Sequence, residues 1–441
     1  MSIFPKLNRF DLSMIVISLV VGMGIFATPA KVSVSLDTPT LYFGAWIFGG
    51  IISLFGALTF AEIGARYPAA GGFYKAFSYC FHPALAFMIN WVLVISNAAS
   101  VAAVAIIGAQ YIQPVLLPLS LQGDIGIRII SISAVIGLYI INLLGIRMSA
   151  QTQNLLTLLK IAIILVICTA IFKTNIPIVR HLPIAGNTHH SNVFYFGEAL
   201  IAVFFTYGGY QQTINFGGDS INAKVNIPKA IWVGMLTVIG LYLLINYAYY
   251  ACLGLGGMQN EPALAAVLAG FIFGATGYKI VSFLMFISVL AFINVNILAN
   301  PRIYYAMAED GMLPAKFKHI NARTQTQEFG LSFFVAAVLI ILCFVTSFEH
   351  ILNYVMFFDT IGLSTAALSI FMLRKKTKHL DATGIYRIKW YPLVPIVFIA
   401  TYWLVTIFIF IKNPMAALTC MSTFAAGLII YFITKFRRTS S

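Results

Sequence analysis

About twelve stretches of this chain are apolar for roughly 18–25 residues each, the length that crosses the hydrocarbon of a bilayer. They run over 10–36, 41–66, 83–112, 127–146, 151–172, 194–220, 228–253, 277–305, 329–346, 351–373, 391–411 and 415–435. None shows the period-2 alternation of a membrane β-strand. In lipid every backbone N–H and C=O needs an internal partner, so these stretches are helices. Composition agrees: 60% of the 441 residues are hydrophobic and only 9% charged, too few charges to clothe a water-facing surface of that size. The first stretch is too long and too glycine-rich for a cleaved signal and has no small-residue cleavage site, so it reads as retained.

An even number of spans puts both ends on one side, and Lys/Arg placement says which. Twenty of the 27 basic residues fall on the side of the N-terminus and six on the other, while Lys160 lies inside a span. By the positive-inside rule both termini are cytoplasmic and the protein sits in a cytoplasmic, or inner, membrane. This asymmetry also accounts for the net charge of +14 without a nucleic-acid partner, which would need a basic soluble face. The five cysteines show no paired spacing and read as small apolar fillers. His181, His189 and His190 fall in the 173–193 loop without an acid or thiol cluster, so no metal and no cofactor is expected.

Two spans carry glycines at mid-depth. The first holds Gly22 and Gly24 in V-V-G-M-G-I-F, and the sixth holds Gly208 and Gly209 in F-F-T-Y-G-G-Y. Such glycines either let helices pack closely or let the chain leave helical geometry. Their matching positions, five spans apart, favour two discontinuous helices in an inverted repeat. Residues 10–172 would form one half, 194–373 the other, and 391–435 two further helices, all within one domain over 1–435, with a short tail at 436–441. An unwound stretch offers N–H groups where the second half-helix starts and carbonyls where the first ends. Two of them side by side make a receptor for a zwitterion.

Lys160 is about six residues into its span, or about 9 Å deep. It either snorkels back to the headgroups or is buried, where it needs carbonyls as partners. Glu62 and Arg66 sit at a helix end, where pairing and solvation account for them. Asp219 and Asp359 are open between function and capping. Asn246, Ser288, Asn294 and Asn296 are polar positions whose default is hydrogen bonding between helices. No nucleophile–base pair or phosphate loop marks an enzyme, and G-M-G follows no strand.

These residues resemble the amino acid–polyamine–organocation transporters, and within them the L-type amino acid transporter branch. The resemblance rests on F-D-L (10–12) with G-M-G-I-F, on F-A-E-I-G-A-R-Y-P-A-A-G-G-F-Y (60–74) and on F-F-T-Y-G-G-Y-Q-Q-T-I-N-F (204–216) with N-I-P-K-A-I (226–231). P-R-I-Y-Y-A-M-A-E-D-G-M-L-P (301–314) and Y-R-I-K-W-Y-P-L-V-P (386–395) complete it. It implies an all-α, LeuT-like 5+5 inverted repeat with discontinuous helices 1 and 6, plus two additional helices. It further implies a substrate carboxylate at the amides of Met23, Gly24 and Ile25, and an ammonium at the carbonyls of Val20, Phe205 and Gly208. Tyr207 and Gly209 would shape the side-chain pocket, with Asn246 nearby. Lys160 matches the lysine that stands in for sodium, and its expected partners are the Gly22 carbonyl and Ser288. Met23 departs from the family's usual serine. Residues 113–127 lack the cysteine that joins a heavy subunit in eukaryotic members, so a stand-alone prokaryotic protein is expected.

The function expected is sodium-independent transport of neutral, small to medium amino acids, by exchange or with protons. The alternatives are a membrane sensor, disfavoured by the lack of a soluble output region, and a carrier of cationic amino acids or polyamines. The last would want an acid facing the pocket, and none is evident beside Gly208–Gly209.

Overall fold

The computed structural model describes residues 6–172, 192–259, 264–344, 348–412 and 414–439. Its helices are α1 (Arg9–Val20), α2 (Gly24–Ser35), α3 (Pro39–Arg66), α4 (Gly72–Cys80), α5 (Pro83–Leu116), α6 (Asp124–Leu143), α7 (Ile146–Cys168) and α8 (Asn192–Tyr207). They continue with α9 (Ala223–Gln259), α10 (Leu264–Phe273), α11 (Gly277–Glu309), α12 (Glu328–Phe344), α13 (Phe348–Lys376), α14 (Leu393–Lys412) and α15 (Pro414–Thr439). Two isolated bridges, Leu7 with Ser220 and Ala70 with Phe216, are the extent of β pairing among the described residues. Nine segments there are long and apolar enough to span a membrane, α1 and α2 counting together, and shorter apolar helices join them. The result is a helical bundle of about twelve crossings.

The first span is two helices. Starting behind Asn8, whose side chain takes the Asp11 amide while Asp11 takes the Asn8 amide (3.0 Å each), α1 opens on a capping box. It is buried from Leu12 to Val20 and packs on α7, α9 and α11, so it runs through the middle of the bundle. The sixth span is also interrupted: α8 stops at Tyr207 and a 3₁₀ turn covers Tyr210–Asn215. By contrast α14 and α15 turn Leu404, Ile407, Leu418 and Phe432 outward, the pattern of helices facing lipid.

Two helices depart from the span pattern. Nine residues long, α4 lies within what the sequence presents as a connecting loop, and the ten-residue α10 lies in the loop after the seventh span. Both are too short to cross a bilayer and so leave no span-length signal. At Gly254, α9 has a non-helical backbone (φ 65°), so the seventh span ends there rather than continuing straight. Of the cysteines, four are buried and Cys343 is exposed. The three histidines of the 173–193 loop lie outside the described residues.

The face that carries the start of α1 is closed by a set of polar contacts. The amides of Lys6 and Leu7 bond the Asp219 carbonyl (2.8 and 2.9 Å), and the Asp219 carboxylate holds Arg302 Nε at 2.5 Å. Lys75 Nζ meets Asp310 at 2.5 Å, tying α4 to the end of α11. Glu62, expected to be paired and solvated, is paired but fully buried. It accepts from Arg66 Nε (2.7 Å), Arg374 Nε and Nη2 (2.8 and 2.7 Å) and the Ile388 amide (2.8 Å). A buried carboxylate needs such a full set of donors. Arg66 continues to Asp381 (2.8 Å), and its guanidinium holds that carboxyl below the usual carboxylate range.

Candidate functional site

Where α1 ends, Val21 has φ −74° and ψ 84°, and the Gly22 amide folds back to the Val20 carbonyl at 2.8 Å. This is an inverse γ-turn. The chain then re-enters a helix at Gly24. Its first intrahelical donor is Phe26, bonded to the Met23 carbonyl at 3.0 Å. The amides of Met23, Gly24 and Ile25 have no acceptor among the described residues. They are the orphan donors of a helix start, where the backbone dipole is positive.

Facing this break is the one in the sixth span. Gly209 has φ 111°, and a Cβ there would collide with the Leu19 carbonyl. A Cβ on Gly24 would come within 3.0 Å of Thr206 Oγ1 and 3.2 Å of its Cα. The glycines thus serve a second purpose: each break presses its backbone against the other. Tyr242 of α9 spans the pair, its hydroxyl 2.9 Å from the Val20 carbonyl and 3.0 Å from that of Thr206. Thr28 and Thr206 hydroxyls add a bond of 2.7 Å between α2 and α8.

Against the breaks lies a cavity of about 600 Å³ of empty space, part of it open to solvent. Val20, Gly22, Met23 and Gly24 line one side, Phe205, Gly208 and Gly209 the next. The rest of the lining includes Asn97 and Ser100 from α5, Phe292 and Asn296 from α11, and Asp359 from α13.

Lys160 is fully buried, so it does not snorkel. Its ammonium donates to the Val21 carbonyl and lies 3.4 Å from Ser18 Oγ. The expected partners, the Gly22 carbonyl and Ser288, are not the ones it meets. The γ-turn at Val21 sets the direction of that residue's carbonyl, and Ser288 Oγ is buried without a hydrogen-bond partner. Tyr207 does not line the cavity: its ring packs against Trp46 and Tyr242 and its hydroxyl approaches Gly50. Asn246 also stays outside, its side chain bonded to Tyr42 Oη and to the Tyr242 carbonyl (2.7 Å). Of the carbonyls expected to take an ammonium, that of Val20 already receives Gly22 and Tyr242, and that of Phe205 receives the Gly208 amide at 3.3 Å. Asp359 corrects the expectation that no acid faces the pocket. It is remote from Gly208–Gly209 in sequence, and only the packing of α13 brings it there.

A family model described as amino acid permease matches residues 7–434, nearly the whole chain. The chain belongs to the amino acid permease family. This permease is 29% identical over 435 residues to the serine/threonine exchanger SteT of Bacillus subtilis, covering 97% of this chain and 96% of that one. It is 24% identical to the human large neutral amino acids transporter small subunit 2 (95% of this chain, 78% of that one). It is 26% identical to the human cystine/glutamate transporter (82% and 72%). The permease is a membrane transporter, not an enzyme.

Several residues of the site carry little sign of their role in the sequence. Tyr242 lies one turn before Asn246 on α9, yet nothing local marks a tyrosine as a bridge between two breaks. Asn97 is a lone amide in an apolar run, a signal that is present but does not say what the amide faces. Gln212 stands just past the glycine pair, where a polar residue is equally at home in an ordinary turn.

Proposed function

We propose that this permease carries amino acids across the cytoplasmic membrane by alternating access at the cavity between the two breaks. The observation that carries this is the row of unpaired amides at Met23, Gly24 and Ile25 beside a cavity lined by both breaks. Three donors at a helix start suit the carboxylate that every amino acid shares. Carbonyls of the facing break, Gly208 foremost, then take the ammonium. Residues 10–172 and 194–373 act as inverted halves, with 391–435 as added helices. The contacts around Asp219, Lys75 and Glu62 keep the cytoplasmic path shut, so the site is reached from outside. The buried Lys160 ammonium on the Val21 carbonyl braces the break where a cation would otherwise sit, which supports transport without sodium.

The substrates are neutral, a reading supported by the names of both neutral amino acid relatives, and small to medium in size, as the serine and threonine in the name of SteT are. Exchange is favoured over proton symport because SteT is named an exchanger. Both termini are cytoplasmic, and the permease works without a heavy subunit. Uptake of labelled amino acids into proteoliposomes tests this, with and without internal amino acid, in sodium or choline, at two pH values. Uptake should require internal substrate and be indifferent to sodium. Uptake driven by a pH gradient into empty vesicles would replace exchange with proton coupling, and absence of uptake for every amino acid would overturn the proposal.

A further inference from the structure

Besides the amides of the first break, the cavity lining carries hydrogen-bond acceptors from α5, from α13 and from the turn after Gly209. Its polarity is set by a relay of amides. Asn300 Nδ2 donates to the Asn296 carbonyl at 2.9 Å, and a carbonyl can only accept, so Asn300 turns its oxygen outward. Asn97 Nδ2 donates to that oxygen at 2.7 Å. Asn97 therefore presents its own oxygen to Gln212 Nε2, 3.3 Å away. The relay ends on Gln212 Oε1, a buried acceptor with no partner. The same lining includes Asp359, which has no ion pair among the described residues. A carboxylate accepts and does not donate. The two unmet groups thus have the same need.

We propose that Asp359 and Gln212 form the side-chain subsite of the permease and select amino acids whose side chains carry a hydrogen-bond donor. This rests on the reading of the cavity as the amino acid site. With the backbone carboxylate at Met23–Ile25, the side chain extends across the cavity toward α5 and α13. A hydroxyl, an amide or an ammonium satisfies Asp359 there. A methyl group leaves the Gln212 oxygen buried and unpaired and offers the Asp359 carboxylate no donor, and a second carboxylate meets like charge. The subsite therefore admits threonine over valine and asparagine over aspartate. The same donor chemistry is available from a cationic side chain, and paired substrates separate the two sources.

The test is competition against exchange of a labelled amino acid in proteoliposomes containing the full-length permease. Threonine is set against its isostere valine, asparagine against aspartate, and lysine against norleucine. The wild type should prefer threonine to valine, or lysine to norleucine, by about tenfold or more, as a site built to bond a donor does. The first preference assigns a neutral donor and the second a cationic one. Asp359→Asn, which replaces one acceptor oxygen by a donor, should reduce the winning ratio at least about fivefold and relieve the exclusion of aspartate. Should that variant fail to fold, the wild-type ratios still decide. Exchange that proceeds with all three pairs within twofold of one another overturns the subsite while leaving amino acid transport standing. Failure of the wild type to exchange any amino acid removes both.

Discussion

The two helix breaks look alike in sequence, each a pair of glycines in an apolar span, yet they are finished differently. At the first, a γ-turn leads straight into α2, and three amides are left unpaired. At the second, the amides are used internally: that of Gly208 reaches the Phe205 carbonyl (3.3 Å) and that of Gly209 the Gln211 side chain (3.0 Å). A 3₁₀ turn then takes the place of a second α-helix. One break is thus a donor site and the other is not. The glycines alone do not set this polarity. It comes from the segment just beyond them, a helix start in one case and a self-bonded turn in the other.

The sharpest way to break the comparison is Gly209→Ala. A residue with a side chain at φ 111° costs about 1–3 kcal/mol in backbone strain, and its Cβ would strike the Leu19 carbonyl. Transport should fall by about two orders of magnitude, as the strain and the collision act together. The adjacent Gly208→Ala, which meets only its own turn's carbonyls at 3.4 Å, should lose much less. Initial exchange rates of the two variants at matched protein amounts decide this. Equal losses would mean that the left-handed turn is not what the site requires.

Lys160→Ala is next. It leaves the Val21 carbonyl buried without its ammonium, a cost of about 1–3 kcal/mol, and should slow exchange about tenfold to a hundredfold. Tyr242→Phe removes the hydroxyl shared by the Val20 and Thr206 carbonyls, a loss of about 1 kcal/mol. It should weaken apparent substrate affinity about fivefold by loosening one break from the other, measured as the concentration giving half-maximal exchange. The smallest effect concerns the N-terminal face. Asp381, held below its ordinary range by Arg66, contributes stability that is full above the ordinary carboxylate pKa and is lost as pH falls through the lowered value. Melting in detergent should therefore be insensitive to pH between about 5 and 7 with respect to this pair. Asp381→Asn should lower the midpoint only slightly at neutral pH.

Much of this is legible in the chain itself. Span length and low charge require a helical bundle, and the matched glycines mark both breaks to the residue. The interior of the site is less legible. Tyr207 and Asn246 fall on the helices expected, but their side chains point to a cluster around Tyr242 instead of into the cavity. A helix in a crowded bundle is buried on several sides, so periodicity does not say which side meets the ligand. The carbonyl partner of Lys160 is displaced by one residue because a γ-turn, which no composition announces, redirects the Val21 carbonyl, and Ser18 rather than Ser288 supplies the hydroxyl. Asp359 is visible as an acid in an apolar run, but its place on the lining depends on α13 meeting α5, a contact between segments that the intervening chain separates by most of the sequence.

The strand-like contact of Lys6 and Leu7 with Asp219 and Ser220 has a practical consequence. In the alternating-access mechanism proposed above, Lys6 and Leu7 belong to the cytoplasmic gate, so anything fused ahead of them would load a moving part. A purification tag belongs behind α15, whereas a small environment-sensitive dye at position 6 would turn the same contact into an optical signal of that gate opening.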